Sequence, residues 1–377
     1  MLSTHRTLTR FAGLTIAAAF FAACSGTGTT ASAGAGASGG PANMDALVAA
    51  AKAEGTLTTI ALPHDWCGYG DIITAFKTKY GLAVNELLPL GGSGDEIEAI
   101  KANKDNKGPQ APDVIDVGIT FGDPAKTDKL IQAYKVATWD TIDPKLKDPD
   151  GYWYGDYFSV LTFEVNKKVV TNTPQDWADL LKTEYKGQIA LPGDPRKSSQ
   201  AYNTVYAAAL ANGGSLDNAQ PGLDFFKKMN DAGNFVPTIA TAPLIDSAAT
   251  PVTVRWAYNA LAHKDKAAGN PAIDVVVPKA GRFLGVYAQA ISAYAPHPNA
   301  AKLWMEYLYS DEGQSGWIKG YCHTTRLADL NARGISKDLV AKLPDIAGAV
   351  YPTSAQATAA KTLITGGWDK TVGANVK

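Results

Sequence analysis

The sequence predicts an α/β protein of two domains, each a mostly parallel sheet flanked by helices. Three observations carry this. Strand-like and helix-like segments alternate through most of the chain, the order that gives crossover connections and a sheet covered on both faces. Several strands, among them Asp113-Val-Ile-Asp-Val-Gly118 and Ile273-Asp-Val-Val-Val277, are rich enough in β-branched residues to be buried. The length of 377 residues suits two domains, and 46% hydrophobic residues suffice for two cores.

Taken in order, residues 1–23 read as an export leader: basic His5, Arg6 and Arg10, an apolar run from Phe11 to Phe21, then Ala22 and Ala23 before Cys24. The run is too short to cross a bilayer as a mature helix. Phe21-Ala-Ala-Cys24 has the form of a lipidation site, with Phe where Leu is usual; a plain cleavable leader with an incidental cysteine is the alternative. Residues 24–43 carry no charge and are mostly Gly, Ser, Thr and Ala, a composition that suits a flexible tether. Loss of Arg6 and Arg10 with the leader leaves a net charge of −3 from 35 basic and 36 acidic residues, which offers nothing to nucleic acid. With Cys24 lipidated, Cys67 and Cys322 remain, an even pair for an oxidising compartment; two buried thiols are the other possibility.

Helix Met44–Glu54, strand Leu57–Leu62, helix Asp71–Tyr80, strand Leu82–Leu88, helix Asp95–Asn103 and strand Asp113–Gly118 follow. Parallel sheets bind ligands outside the carboxyl ends of their strands. That puts Asp65, Trp66, Tyr69, Ser93, Thr120 and Phe121 at one rim. Gly91-Gly-Ser-Gly94 lacks the Lys-Ser/Thr of a phosphate loop and the fifth-position glycine of a nucleophile elbow. His64, His263, His297 and His323 are scattered, so no metal site, cofactor or catalytic constellation is expected.

The aromatic run Gly151–Phe158, with Tyr157, leads into strand Ser159–Asn166, the first passage between domains. Trp177–Leu191 reads as helix, turn and strand. Loop Pro192–Ser199 precedes a long helix, Gln200–Ala211. Its exposed N–H groups could take an anion beside Asp194, Lys197, Ser198 and Ser199, with capping as the plainer role for both serines. After the amphipathic helix Leu223–Ala232, strand Val252–Tyr258 would present Trp256, Tyr258 and Asn259 at its end.

Ile273–Val277 stops at Pro278, and Leu284–Tyr294, with Tyr287, resumes strand character. Pro298 suits a first helical position, and Ala300, Ala301, Trp304, Tyr307 and Leu308 make one buried stripe. Ser310 caps the next helix, with Asp311 and Glu312 favoured in its first turn, and Gly320 ends it. Residues 331–377 are C-terminal helices.

Several of these segments together resemble the solute-binding proteins of bacterial ABC importers, and within them the polyamine-binding branch, related to phosphonate, iron and thiamine binders. They are Trp66-x-x-Tyr69 ahead of F-x-x-x-x-G, W-A-D-L-x-x-x-E-Y-K-G from Trp177, Asp194-x-Arg196, I-D-V-V-x-P-K-x-G from Ile273, P-x-P-N-A-A-K ahead of S-x-E-G, and Gly320-Tyr321. The resemblance implies a type II periplasmic-binding-protein fold: lobe 1 from residues 44–160 and 285–330, lobe 2 from 161–284, and hinge strands between. It also sets the helix pair before Cys322 against the lobe that carries Cys67, which implies a disulfide. In that branch an aromatic box stacks on the methylene chain and carboxylates pair with ammonium groups. Trp66, Tyr69, Asp194 and Trp256 match such positions, whereas Lys197 stands where an acid is expected, and Gly285 and Tyr287 where an aromatic and a second acid are expected. The adjacent tyrosine pair of ferric-iron relatives is absent.

The expectation is therefore a monomeric, lipid-anchored, extracytoplasmic binding protein rather than an enzyme. It would close its lobes on a small polar solute and deliver it to a permease and ATPase. The lost acids and Lys197 argue for an anionic or zwitterionic ligand. A polyamine held through Asp65 or Asp95, a sensor subunit, and, least favoured, a secreted hydrolase are the alternatives.

Overall fold

A computed structural model describes residues 40–377; the leader and Cys24 lie outside them. Residues 40–43, placed in the tether by composition, already belong to the fold. The Gly40 N–H donates to the Lys135 carbonyl at 2.7 Å, and Asn43 caps the first helix by accepting from the Ala46 N–H at 3.1 Å.

In chain order the elements are α1 (Met44–Glu54), β1 (Thr56–Ile60), α2 (Tyr69–Tyr80), β2 (Ala83–Leu87), α3 (Ser93–Ala102), β3 (Val114–Gly118), α4 (Gly122–Thr127), β4 (Ile131–Gln132) and β5 (Tyr154–Asn166). Then come β6 (Ile189–Ala190), α5 (Ser199–Ala211), α6 (Gln220–Asp231), α7 (Ala242–Asp246), β7 (Val252–Trp256), α8 (Ala257–Ala267), β8 (Ile273–Val276) and β9 (Leu284–Ser292). The chain closes with α9 (Pro298–Leu308), α10 (Asp311–Lys319), β10 (His323–Thr324), α11 (Leu327–Ala332), α12 (Lys337–Val340) and α13 (Ser354–Thr371).

The long strand β5 organises both lobes. Its first half, to Val160, pairs with β9; from Leu161 onward it pairs with β7 and β8. It begins at Tyr154, earlier than the sequence suggests, because Tyr154 and Tyr157 are buried side chains of the sheet rather than a loop. Parallel pairing holds for β1–β2 and β6–β7. The ladders of β5 and β9 are antiparallel, since these strands carry the chain between lobes in opposite directions.

Two expected elements differ. The helix from Trp177 is a pair of 3₁₀ turns, Trp177–Leu181 and Thr183–Tyr185: Asp176 and Asp179 cap each other's backbone and Lys182 is extended, which closes the first turn early. The strand from Val252 stops at Trp256, so Tyr258 and Asn259 lie in the first turn of α8.

The returning segment follows its sequence closely. Pro298 opens α9, whose Ala300, Ala301, Trp304, Tyr307 and Leu308 are all buried. Glu54 caps it from α1, accepting from the Asn299 and Ala300 N–H groups (2.8 Å for Ala300), where the helix dipole favours an acid. Ser310 accepts from the Gly313 N–H to cap α10. Cys67 and Cys322 are joined, with Cα atoms 5.5 Å apart. Gly320 lies so close that a Cβ there would sit 2.1 Å from the Cys67 carbonyl carbon.

Beyond α12 the chain crosses a third time. Val350 pairs with the segment 282–284, accepting from the Leu284 N–H and donating to the Arg282 carbonyl. Then α13 packs on α5 and α6 of lobe 2, with Trp368 against Phe226 and Phe235.

Candidate ligand-binding cleft

A cleft of about 710 Å³ separates the lobes. Lobe 1 contributes Trp66, Ser93, Asp95, Glu96, Asp116, Phe121 and Tyr287; lobe 2 contributes Asp194, Lys197, Ser198, Ser199, Gln200 and Tyr202, with Lys361 from α13.

The floor is acidic and buried. Asp116, on β3, is 4% exposed, and its Oδ2 accepts from the Tyr69 and Tyr157 hydroxyls at 2.7 and 3.1 Å. Its Oδ1 has no partner among the described residues. Glu96 accepts from the Asp116 N–H, and the Gln289 amide donates to Asp156 at 3.1 Å. Three carboxyls in one buried cluster cannot all stay ionised. Burial pushes Asp116 up to about 7; burial and then the Asp116 charge raise Asp156 and Glu96 well above the usual carboxylate range. Above this floor Trp66 and Tyr287 meet edge to face at 5.8 Å, and Tyr287 stacks on Tyr157 at 5.3 Å.

The lobe 2 wall is cationic. Ser198 caps α5 by accepting from the Ala201 N–H, which leaves the Ser199 and Gln200 N–H groups without intrahelical acceptors. Among the described residues, neither Lys197 nor Lys361 forms an ion pair; Lys361 instead lies over the Phe121 and Tyr202 rings. Burial raises the Asp194 carboxyl, but hydrogen bonds from Arg196 outweigh it and hold the group below its ordinary value.

Of the residues singled out by sequence, Trp66, Ser93, Asp194, Lys197, Ser198, Ser199 and Tyr287 line the cleft together. Thr120 and Trp256 line a small adjoining cavity of about 30 Å³ with Ser199 and Tyr202. Tyr69, Tyr157 and Tyr258 are buried beneath the floor: the first two hold Asp116, and Tyr258 packs on Trp66 and Tyr157. Asp65 is exposed and does not line the cleft. Asp116, Glu96 and Lys361 escaped the sequence reading. The Asp at the centre of an otherwise apolar strand, Asp116, was the available signal for the first two; an isolated helix lysine carries none.

Two lobes of α/β structure, joined by crossing strands around a polar cleft, make the type II periplasmic-binding-protein fold. The chain belongs to the bacterial extracellular solute-binding protein family, whose profile matches residues 110–332, more than half of it. It is 28% identical over 193 residues to the spermidine/putrescine-binding periplasmic protein of Escherichia coli K12, covering 47% of this chain and 52% of that protein. The chain thus spans about half the length of the curated relatives it matches. Among solved structures it is similar to the periplasmic binding protein AfuA of Actinobacillus pleuropneumoniae with exogenous fructose-6-phosphate bound (TM-score 0.63, 23% identity, 84% of this chain and 98% of that one). It is also similar to an ABC transporter substrate-binding protein of Bradyrhizobium japonicum (TM-score 0.65, 17% identity, 84% and 99%).

Proposed function

We propose that this chain is the solute-binding component of an ABC importer, and that it captures by lobe closure a small polar solute carrying at least one anionic group. Binding rather than turnover is the reading. The observation that carries it is the pair of unpaired lysines, Lys197 and Lys361, in the same cleft as the open N–H groups that start α5. Charge-assisted donors of this kind suit phosphate, phosphonate or carboxylate oxygens. The acid that sequence assigned to an amine, Asp194, is occupied by Arg196. Trp66 and Tyr287 would hold the rest of the solute over Asp116, where an amine or hydroxyl donor finds the unpartnered Oδ1.

A thermal-shift panel on the exported protein tests this, because a ligand that binds only the folded state raises its midpoint. Phosphorylated or phosphonylated solutes should raise it. A shift with spermidine or putrescine and none with anions would sink the anionic reading. The polyamine reading stands second, supported by the 28% identity to the E. coli protein and by Asp116.

The same proposal places the protein outside the cytoplasm, as a monomer held to the membrane by acyl chains on Cys24, at about 0.8 kcal/mol per buried CH₂. Cys24→Ala should release it to the soluble fraction; a variant that still pellets with membrane would overturn the anchor.

A further inference from the structure

We infer that Lys361, on the C-terminal helix, is a ligand-contacting specificity residue that joins Lys197 in holding the anionic group of the solute. This rests on the anionic reading above.

The helix that carries it lies outside the segment matching the family, yet its register on lobe 2 is fixed. Trp368 packs on Phe226 at 5.6 Å and on Phe235, and its Nε1 donates to the Ala374 carbonyl at 2.7 Å. Gly367 lies against Leu223 so tightly that a Cβ would meet its Cδ1 at 2.7 Å. Arg196 reaches Asp369 at 2.9 Å and Asn375 at 3.0 Å, tying both ends of the last turns to the loop before α5. With that face committed to lobe 2, Ala357 and Lys361, one turn apart, line the two cavities at the lobe boundary.

Lys361 Nζ sits 4.9 Å from the ring centre of Phe121, in lobe 1, and 5.9 Å from that of Tyr202, in lobe 2. An ammonium over two rings, with no ion pair among the described residues, keeps its charge available to a ligand. Lys361 and Lys197 line the same cleft as the two open N–H groups of α5, and together these donors would cradle a group with several charged oxygens. The same pair would oppose a polycation.

Calorimetry on the exported protein, with inorganic phosphate, fructose 6-phosphate, 2-aminoethylphosphonate and spermidine as probes, tests this. Lys361→Met keeps the apolar stem but loses the charge, Lys361→Arg restores it, and Lys370→Met alters an exposed lysine of the same helix. The wild type and Lys370→Met should bind at least one of the anions equally. Lys361→Met should bind it roughly tenfold or more weakly, the scale of one charge-assisted hydrogen bond, with a shallower salt dependence and recovery in Lys361→Arg. Equal anion affinity in the wild type and Lys361→Met overturns the role of Lys361 and leaves the anionic reading standing. A wild type unmoved by all three anions, whether or not it binds spermidine, overturns both.

Discussion

Arg196 closes a forked ion pair on Asp194, with Nε 2.8 Å from Oδ1 and Nη2 2.9 Å from Oδ2. The two residues are separated by one position, and the Arg196 N–H also donates to Oδ1. Asp194 therefore presents the cleft with a neutralised acid, and the arginine acts as a bracket for the C-terminal helix.

Arg196→Ala should destabilise the protein by about 1–3 kcal/mol, since it strands a nearly buried carboxylate and cuts the link to Asp369. Urea unfolding measures this. A loss below about 0.5 kcal/mol would reduce the pair to the standing of an exposed surface ion pair.

Reduction of the Cys67–Cys322 bridge, or Cys67→Ala with Cys322→Ala, should lower stability by up to about 5 kcal/mol. The bridge joins residues 255 positions apart, so it constrains a very long loop in the unfolded chain. Thermal midpoints with and without reductant test this, and an unchanged midpoint would refute it.

Asp116 makes a prediction with a definite sign. Its folded value, raised by burial to about 7, lies above the unfolded value near 3.9, so the folded state holds the proton more tightly. Stability on its account is greatest below about pH 4 and falls as pH climbs to about 7. Asp116→Asn, whose amide oxygen can still accept from Tyr69 and Tyr157, should match the wild type near pH 4 and exceed it at pH 8 by on the order of 1–3 kcal/mol. Equal pH profiles would show that the carboxyl is not raised. The same group reports ligand charge: near pH 7 an anion entering the cleft should draw protons in, and a cation should expel them. Calorimetry in two buffers of different ionisation heat reads the sign.

A Cβ on Gly285 would lie 2.3 Å from Cη2 of Trp256, so the indole occupies the space beside this glycine. Gly285→Ala should overpack the site, cost about 1–3 kcal/mol and shift the tryptophan emission. An unperturbed spectrum and midpoint would mean that the ring moves aside freely.

Local signals were legible in the sequence where the physics is local. Pro298, Ser310 and Gly320 marked helix ends through backbone chemistry that acts within a few residues, and each stands at such an end. Trp66 and Ser93 follow the parallel strands β1 and β2, where a ligand rim is expected, and both line the cleft. What stayed hidden depends on distant partners. Asp194 looked free because a turn that folds Arg196 back on it is a three-dimensional fact. Tyr258 looked like a strand end because nothing in Trp256-Ala-Tyr-Asn259 announces the helix start at Ala257. Lys361 is an ordinary helix lysine until Trp368 finds Phe226, well over a hundred residues away.

The Cys67–Cys322 bond also gives the chain a covalent topology. Everything from Cys67 to Cys322 is a closed ring, and both β5 and β9 run inside it. A single cut within the ring leaves the pieces joined. The C-terminal helix hangs outside, on the thread that passes Val350, so one cut near there would release Lys361 and its helix from the covalent whole while the ring remained shut.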